Sequence, residues 1–227
     1  MPELPDISVY LAALTPRVLA TRLLSVTIKS PLVLRSVDPP IDALHGCTLV
    51  SLERLGKRLV FGFDGDLCVV IHLMIAGRFQ WKPAGTRPTG RIDLAALAFE
   101  RGTLVLTEAG TTKRASMHMV RGGAALVDHD PGGLEVLGPG ACDVAAFGAA
   151  LRSVNRTLKR ALTDPRLFSG IGNAYSDEIL HAARLNPVKL TRSLTDAQIE
   201  DLHRCTRATL EEWTRRLMKQ FRLVAGG

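Results

Sequence analysis

Hydrophobic and polar positions follow two different periods along the chain. In "DISVYLAALTPRVLATRL" the apolar residues Ile7, Tyr10, Leu11, Leu14 and Val18 recur at helical spacing. Pro16 is expected to bend or restart that helix, because proline lacks the N–H an inner turn needs. The pattern then shortens. "LLSVTIKS", "CTLVSLERL", "RLVFGFDGDLCVVIHL" and "GRFQWK" are β-branched and aromatic runs of strand length. "DGD", between Phe63 and Leu67, predicts a hairpin turn. "DLAALAFERGTLVLTEA" predicts a further hairpin, and "RASMHMV" and "AALVD" follow it. One helix and then a β-rich domain, a sandwich or a partly closed barrel, is expected up to about residue 130.

"DPGGLEVLGPGACD" interrupts the pattern with Gly and Pro and predicts a linker over 131–143. Beyond it the period is helical. "VAAFGAALRSV", "NRTLKRALTD", "NAYSDEILHAARL" and "TDAQIEDLHRCTRATLEEWTRRLMKQF" predict four helices over 144–227. The last opens with a capping box, Thr195 and Gln198. Its apolar face is Ile199, Leu202, Thr206, Leu210, Trp213 and Leu217, and Arg204, Arg207, Arg215 and Arg216 lie on its solvated faces. The fold class is therefore α+β, with a β-rich domain over 1–130 and a helical domain after the linker.

Composition narrows the function. The formal charge is +7 in 227 residues and the pI about 9.6, which favours an anionic partner, nucleic acid before an acidic membrane surface. No apolar run reaches membrane-spanning length. Glu3 and Asp6 stand where a signal peptide carries Lys or Arg. Cys47, Cys68, Cys142 and Cys205 form no C-x-x-C pair and are expected to be small buried hydrophobes in a reducing cytosol.

Two stretches carry chemistry. "SGIGN" leads from one helix into another, and a glycine-rich turn at a helix N-terminus is an anion site, with Gly172 allowing close approach and Asn173 expected as N-cap. Lys159, Arg160 and Arg166 lie nearby, so the expected anion is a phosphodiester. "MPELPD" places Pro2 directly behind the initiator Met. Freed of Met1, Pro2 presents a secondary amine, and an α-amine has a pKa of about 7.7–8.0, low enough to act as a nucleophile near neutrality.

"MPELPD", "LGKRLVF", "HLMIAGR" and "SGIGNAYSDEIL" occur in this order across most of the chain, and together they resemble the Fpg/Nei family of bifunctional DNA glycosylases. The resemblance implies an N-terminal helix with a β-sandwich, then a helical domain with a helix–two-turn–helix. It implies excision of oxidised bases through a Schiff base on Pro2, with Glu3 as general acid/base and Lys57 contacting the phosphate beside the lesion. Met74 is implied as the wedge that fills the gap left by the flipped base, and Lys159, Gly172 and Asn173 as DNA contacts. The implied partner is double-stranded DNA with oxidised or abasic sites, bound by a monomer in the bacterial cytoplasm, at the nucleoid, with no membrane attachment. "TEAGTTKRAS" departs from the family's Arg- and Phe-bearing loop; Lys113 and Arg114 remain there as candidate DNA contacts. "TGRIDLAAL" offers no clear counterpart to the family's histidine. The family continues into a zinc finger or a zincless hairpin, whereas this sequence stops at "QFRLVAGG", so no metal or cofactor is expected in it. The competing expectation is a non-catalytic relative that binds damaged DNA.

Overall fold

The computed structural model describes residues 1–225, with side chains described through residue 221. The chain forms two compact units. The first comprises Met1–Pro2 and Tyr10–His129; the second comprises Glu3–Val9 and the chain from Asp130 onward. The opening residues thus divide between the units, where the linear reading placed all of them in the β-rich one.

The first helix, α1 (Leu4–Val18), is continuous. Pro16 lies in its last turn, two residues before its end, and the helix does not restart there. In the first unit α1 is followed by β1 (Leu23–Ile28), β2 (Leu49–Leu55), β3 (Arg58–Phe63), β4 (Leu67–His72), β5 (Gly77–Lys82), β6 (Asp93–Phe99), β7 (Gly102–Glu108) and β8 (Ser116–Arg121). They make two four-stranded antiparallel sheets, ordered β1-β6-β7-β5 and β2-β3-β4-β8. The β3–β4 hairpin turns through Asp64–Asp66 with Phe63 paired to Leu67, as "DGD" predicts.

Both faces of the β3–β4 hairpin bury apolar residues, Val60 and Val70 on one of them. Leu59, Phe61, Phe63, Val69, Ile71, Met117 and Met119 point inward and are buried. The "AALVD" segment is no strand. It lies in a 3-10 helix over Gly123–His129. Its Val127 is 71% exposed, so a strand here would have buried none of the apolar side chain that suggested one. The cysteine expectation holds for Cys205 alone: Cys47, Cys68 and Cys142 are half-buried free thiols.

The second unit is helical: α2 (Val144–Arg152), α3 (Leu158–Thr163), α4 (Asn173–Ala182) and α5 (Asp196–Ala225). Its core contains Phe147, Leu151, Leu158, Leu162, Phe168, Ile171, Ile179, Leu202 and Leu210, joined by Leu4 from the start of α1. Phe147 and Phe168 meet at 4.6 Å between ring centroids. The capping box of α5 forms reciprocally: Gln198 N–H donates to Thr195 Oγ1, and Thr195 N–H donates to Gln198 Oε1, both at 3.2 Å. No described helix is long and apolar enough to cross a membrane.

Candidate active site

The two-turn connection between α3 and α4 is built around Asp164. Its carboxylate accepts from Arg156 at 2.7 Å, from Arg166 through Nε and Nη2 at 3.0 and 2.8 Å, and from the Arg166 backbone N–H at 3.0 Å. The Arg166 guanidinium and backbone, with Arg156 behind them, hold this carboxyl well below the usual range, at about 2. The Asp164 backbone carbonyl also accepts from Leu167 and Phe168. The chain then reaches Gly170, whose φ of +79° is a left-handed conformation that glycine adopts without strain.

At the end of this turn the N-terminus of α4 is occupied by a carboxylate from the other end of the sequence. Glu3 Oε2 accepts from the backbone N–H groups of Gly172 at 2.7 Å and Tyr175 at 3.2 Å, and Oε1 accepts from Ala174 at 3.0 Å. Leu4 N–H donates to Gly170 O at 2.9 Å, and Glu3 N–H donates to Asp6 Oδ2 at 2.9 Å. Glu3 is only 3% exposed. The anion at this helix terminus is thus the protein's own carboxylate, where the sequence pointed to a phosphodiester. The expected cap is also displaced: Gly172 is the N-cap, and Asn173 is the first helical residue, exposed and with no capping hydrogen bond. Glu3 satisfies the N–H groups that an Asn side chain would have capped. Burial, and then Asp6, Glu3 and Glu178, raise the Tyr175 phenol, which therefore stays protonated.

Lys159 on α3 reaches Asp177 on α4, with Nζ 2.7 Å from both carboxylate oxygens. The pair is partly solvated, so it adds little to stability. Pro2 is buried. With Met1 attached its nitrogen is a tertiary amide without a usable lone pair, so nucleophilic chemistry there requires Met1 to be removed.

In the first unit, Lys57 and Gly56 form the two-residue turn between β2 and β3, with Gly56 at φ +60°. Arg54 Nη1 donates to Gly56 O at 2.9 Å and braces the turn. On β4, His72 Nδ1 accepts the Met74 N–H at 3.2 Å. That contact places the proton of the neutral ring on Nε2, directed away from the chain as a donor. Burial first, then Arg58 and Lys57, lower the His72 pKa to about 4, so the ring is neutral at physiological pH. The sequence left His72 without a firm role; the structure sets it at the end of β4, opposite Arg58.

Residues Leu73–Gly77 form a tight turn closed by Gly77 N–H to Leu73 O at 2.9 Å. A Cβ on Gly77 would lie 2.2 Å from that oxygen. Met74 is half-buried at φ +53°, and the side chain presented to solvent is Ile75, 59% exposed. The "TEAGTTKRAS" loop is fixed by Glu108, which is 2% exposed. Its Oε2 accepts from the backbone N–H groups of Arg114 at 2.8 Å and Ala115 at 3.0 Å, and Lys113 Nζ donates to its backbone carbonyl.

An N-terminal helix with a β-sandwich, followed by a helical unit whose two-turn motif holds a terminal carboxylate, defines a recognisable class, and comparison with known proteins agrees. Residues 1–123 match the formamidopyrimidine-DNA glycosylase N-terminal domain, and residues 137–220 match the formamidopyrimidine-DNA glycosylase H2TH domain. The chain belongs to the formamidopyrimidine-DNA glycosylase family of DNA-repair glycosylases. A relative of that name from Thermus thermophilus is 34% identical, the match covering 93% of this chain and 75% of the relative. One from Moorella thermoacetica is 31% identical over 93% and 78%. Among solved structures, the Lactococcus lactis Fpg in complex with abasic-site DNA shares the fold at a TM-score of 0.85 and 24% identity, covering 94% of this chain and 78% of that one.

Proposed function

We propose that the chain is a bifunctional DNA glycosylase and AP lyase of base excision repair, acting on oxidised bases in double-stranded DNA. The observation that carries this reading is the Glu3 carboxylate, buried and seated on three backbone N–H groups immediately after Pro2.

Met1 is first removed. The Pro2 nitrogen then attacks C1′ of the damaged nucleotide, and the glycosidic bond breaks as the leaving base takes a proton from solvent. Glu3 takes the proton that the Pro2 nitrogen loses and passes it to O4′ as the sugar opens, and its seat on α4 keeps the carboxylate in place through the proton cycle. The result is an iminium between Pro2 and C1′. Loss of a C2′ proton expels the 3′ phosphate as the C3′–O3′ bond breaks, and water then releases the sugar fragment and regenerates the amine.

Lys57 holds the phosphate beside the lesion, and His72 adds the Nε2–H donor from the same unit. The base must leave the stack before this chemistry starts, and an apolar side chain at a turn tip suits the vacated space. Ile75 is placed for that role and Met74 supports the turn beneath it. Lys159 and Asn173 contact the backbone from the second unit, with Gly172 allowing close approach. The active species is a monomer of the bacterial cytoplasm, at the nucleoid. A single-turnover assay on duplexes carrying one oxidised base, scoring base release and strand scission separately, tests the reading. Both products are expected; tight binding with neither would favour a non-catalytic damage binder.

A further inference from the structure

The face of the β2-β3-β4-β8 sheet that carries Val60 and Val70 also gathers basic side chains, of which the proposed glycosylase chemistry uses only His72. His118 on β8 pairs with Val70 and Ser116 pairs with His72, while His72 pairs with Arg58. By alternation Arg58, His72 and His118 share the face opposite the buried Leu59, Ile71, Met117 and Met119. The segment 34–36 runs along the open edge of β8. Leu34 bridges Met117, Arg35 N–H donates to Met117 O at 2.9 Å, and Met119 N–H donates to Ser36 Oγ at 2.7 Å. Arg35, next after Leu34, therefore falls on the His118 side. From the 3-10 helix over Gly123–His129, the His129 ring meets that of His118 at 4.7 Å between centroids.

We propose that His118 and His129, flanked by Arg35 and Arg58, form a phosphate-binding site on this face. Two half-buried imidazoles with two guanidiniums beside them form a donor set for a tetrahedral oxyanion. Like charges gathered on one face repel each other, and a bound dianion offsets that repulsion. The empty pair is held neutral. Burial lowers both rings; His129, Arg58 and Arg35 lower His118 further, and Arg58 lowers His129. Asp128 opposes this, at His129 alone. His72, on the same face, is itself held neutral, and Glu53, on β2 opposite Val60, is a carboxylate two strands from His72 and three from His118. Anion binding therefore brings protons with it and strengthens as pH falls. The ligand group has two sources: a phosphodiester of the DNA backbone, or a terminal phosphate such as strand scission leaves.

The test uses the full chain and follows the His118 and His129 ring resonances by NMR. Sulfate is the probe, because its charge is constant between pH 5 and 7.5. Sulfate should raise the apparent pKa of both rings saturably and bind at least tenfold more tightly at pH 5 than at pH 7.5; uptake of one full proton per anion across this window would give about 300-fold. His129→Gln and Arg35→Gln should each weaken binding at least tenfold, with thermal unfolding checked for both; Arg35 is exposed, so its replacement leaves the core intact. Shifts no larger than those from chloride at equal ionic strength would overturn the proposal, as would unchanged binding in both variants. Duplexes with and without a 5′ phosphate separate the sources: a response to both identifies the backbone, and a response to the phosphorylated duplex alone identifies the terminus. The sulfate arm needs no glycosylase activity, so its failure is distinct from failure of the catalytic reading.

Discussion

Glu3 Oε2 accepts the Gly172 backbone N–H at 2.7 Å across 169 residues of sequence. The contact makes the start of the chain the cap of α4. In the proposed chemistry Pro2, the residue before Glu3, is the nucleophile, and the buried Glu3 carries the proton.

Glu3→Gln keeps the side-chain shape but replaces one acceptor oxygen with an amide and removes the proton carrier. Base release should fall by a factor of 100 or more, within the range typical of general acid–base catalysis of about 10²–10⁴. Strand cleavage at a ready-made abasic site should fall less, because C1′ is already open to the amine. The two rates, measured under single turnover, check this. Equal loss of both would make Glu3 a positioning group for the terminus.

Ile75→Ala should weaken excision of a paired base while sparing cleavage at an abasic site, since the filled gap matters only when a base is displaced. Met74→Ala should act mainly on stability, because Met74 is half-buried and already at positive φ. Kinetics on paired-base and abasic duplexes, with thermal unfolding of both variants, separate the two effects.

Asp164→Asn removes the charge that gathers Arg156 and Arg166, and should destabilise the protein by about 1.5–3 kcal/mol, the range for a lost hydrogen bond to a charged group. The native carboxyl is lowered to about 2 from 3.8. Its contribution is therefore fully present above pH 3.8 and is lost as pH falls toward 2. Denaturant unfolding across that window should show a steeper pH dependence in the native chain than in the variant.

The histidines lose stability in a separate, milder window. His72, His118 and His129 all have lowered pKa values, His72 to about 4. The unfolded chain therefore binds more protons than the folded one once pH drops below about 6.5. Stability should fall from pH 6.5 to about 4, and His72→Gln should flatten part of that fall. A profile flat over this range would contradict the assigned burial of the ring.

The strands of the sandwich were legible as β-branched and aromatic runs of strand length, such as the β3 run that is buried from Leu59 to Phe63. The capping box of α5 was legible because both partners lie within four residues. What was not legible depends on distance or on turns. Nothing local reveals that Glu3 seats on Gly172, so the N–H groups there suggested a phosphate and Asn173 suggested a cap. Met74 was read as the wedge from the family motif, but the chain turns at Leu73–Gly77 and exposes the next residue, Ile75. Glu108 gave no signal as the clasp of the Lys113–Arg114 loop, because its partners are backbone N–H groups.

The central claim is that the Pro2 nitrogen is the nucleophile. Purified protein is incubated with abasic-site duplex and sodium borohydride, and the cross-linked species is digested and its peptides are weighed. The account predicts a chain beginning at Pro2, covalently joined to DNA through the N-terminal peptide, with cross-linking abolished when extra residues precede Pro2. Cross-linking through a lysine, or undiminished cross-linking by the N-terminally extended chain, would contradict it.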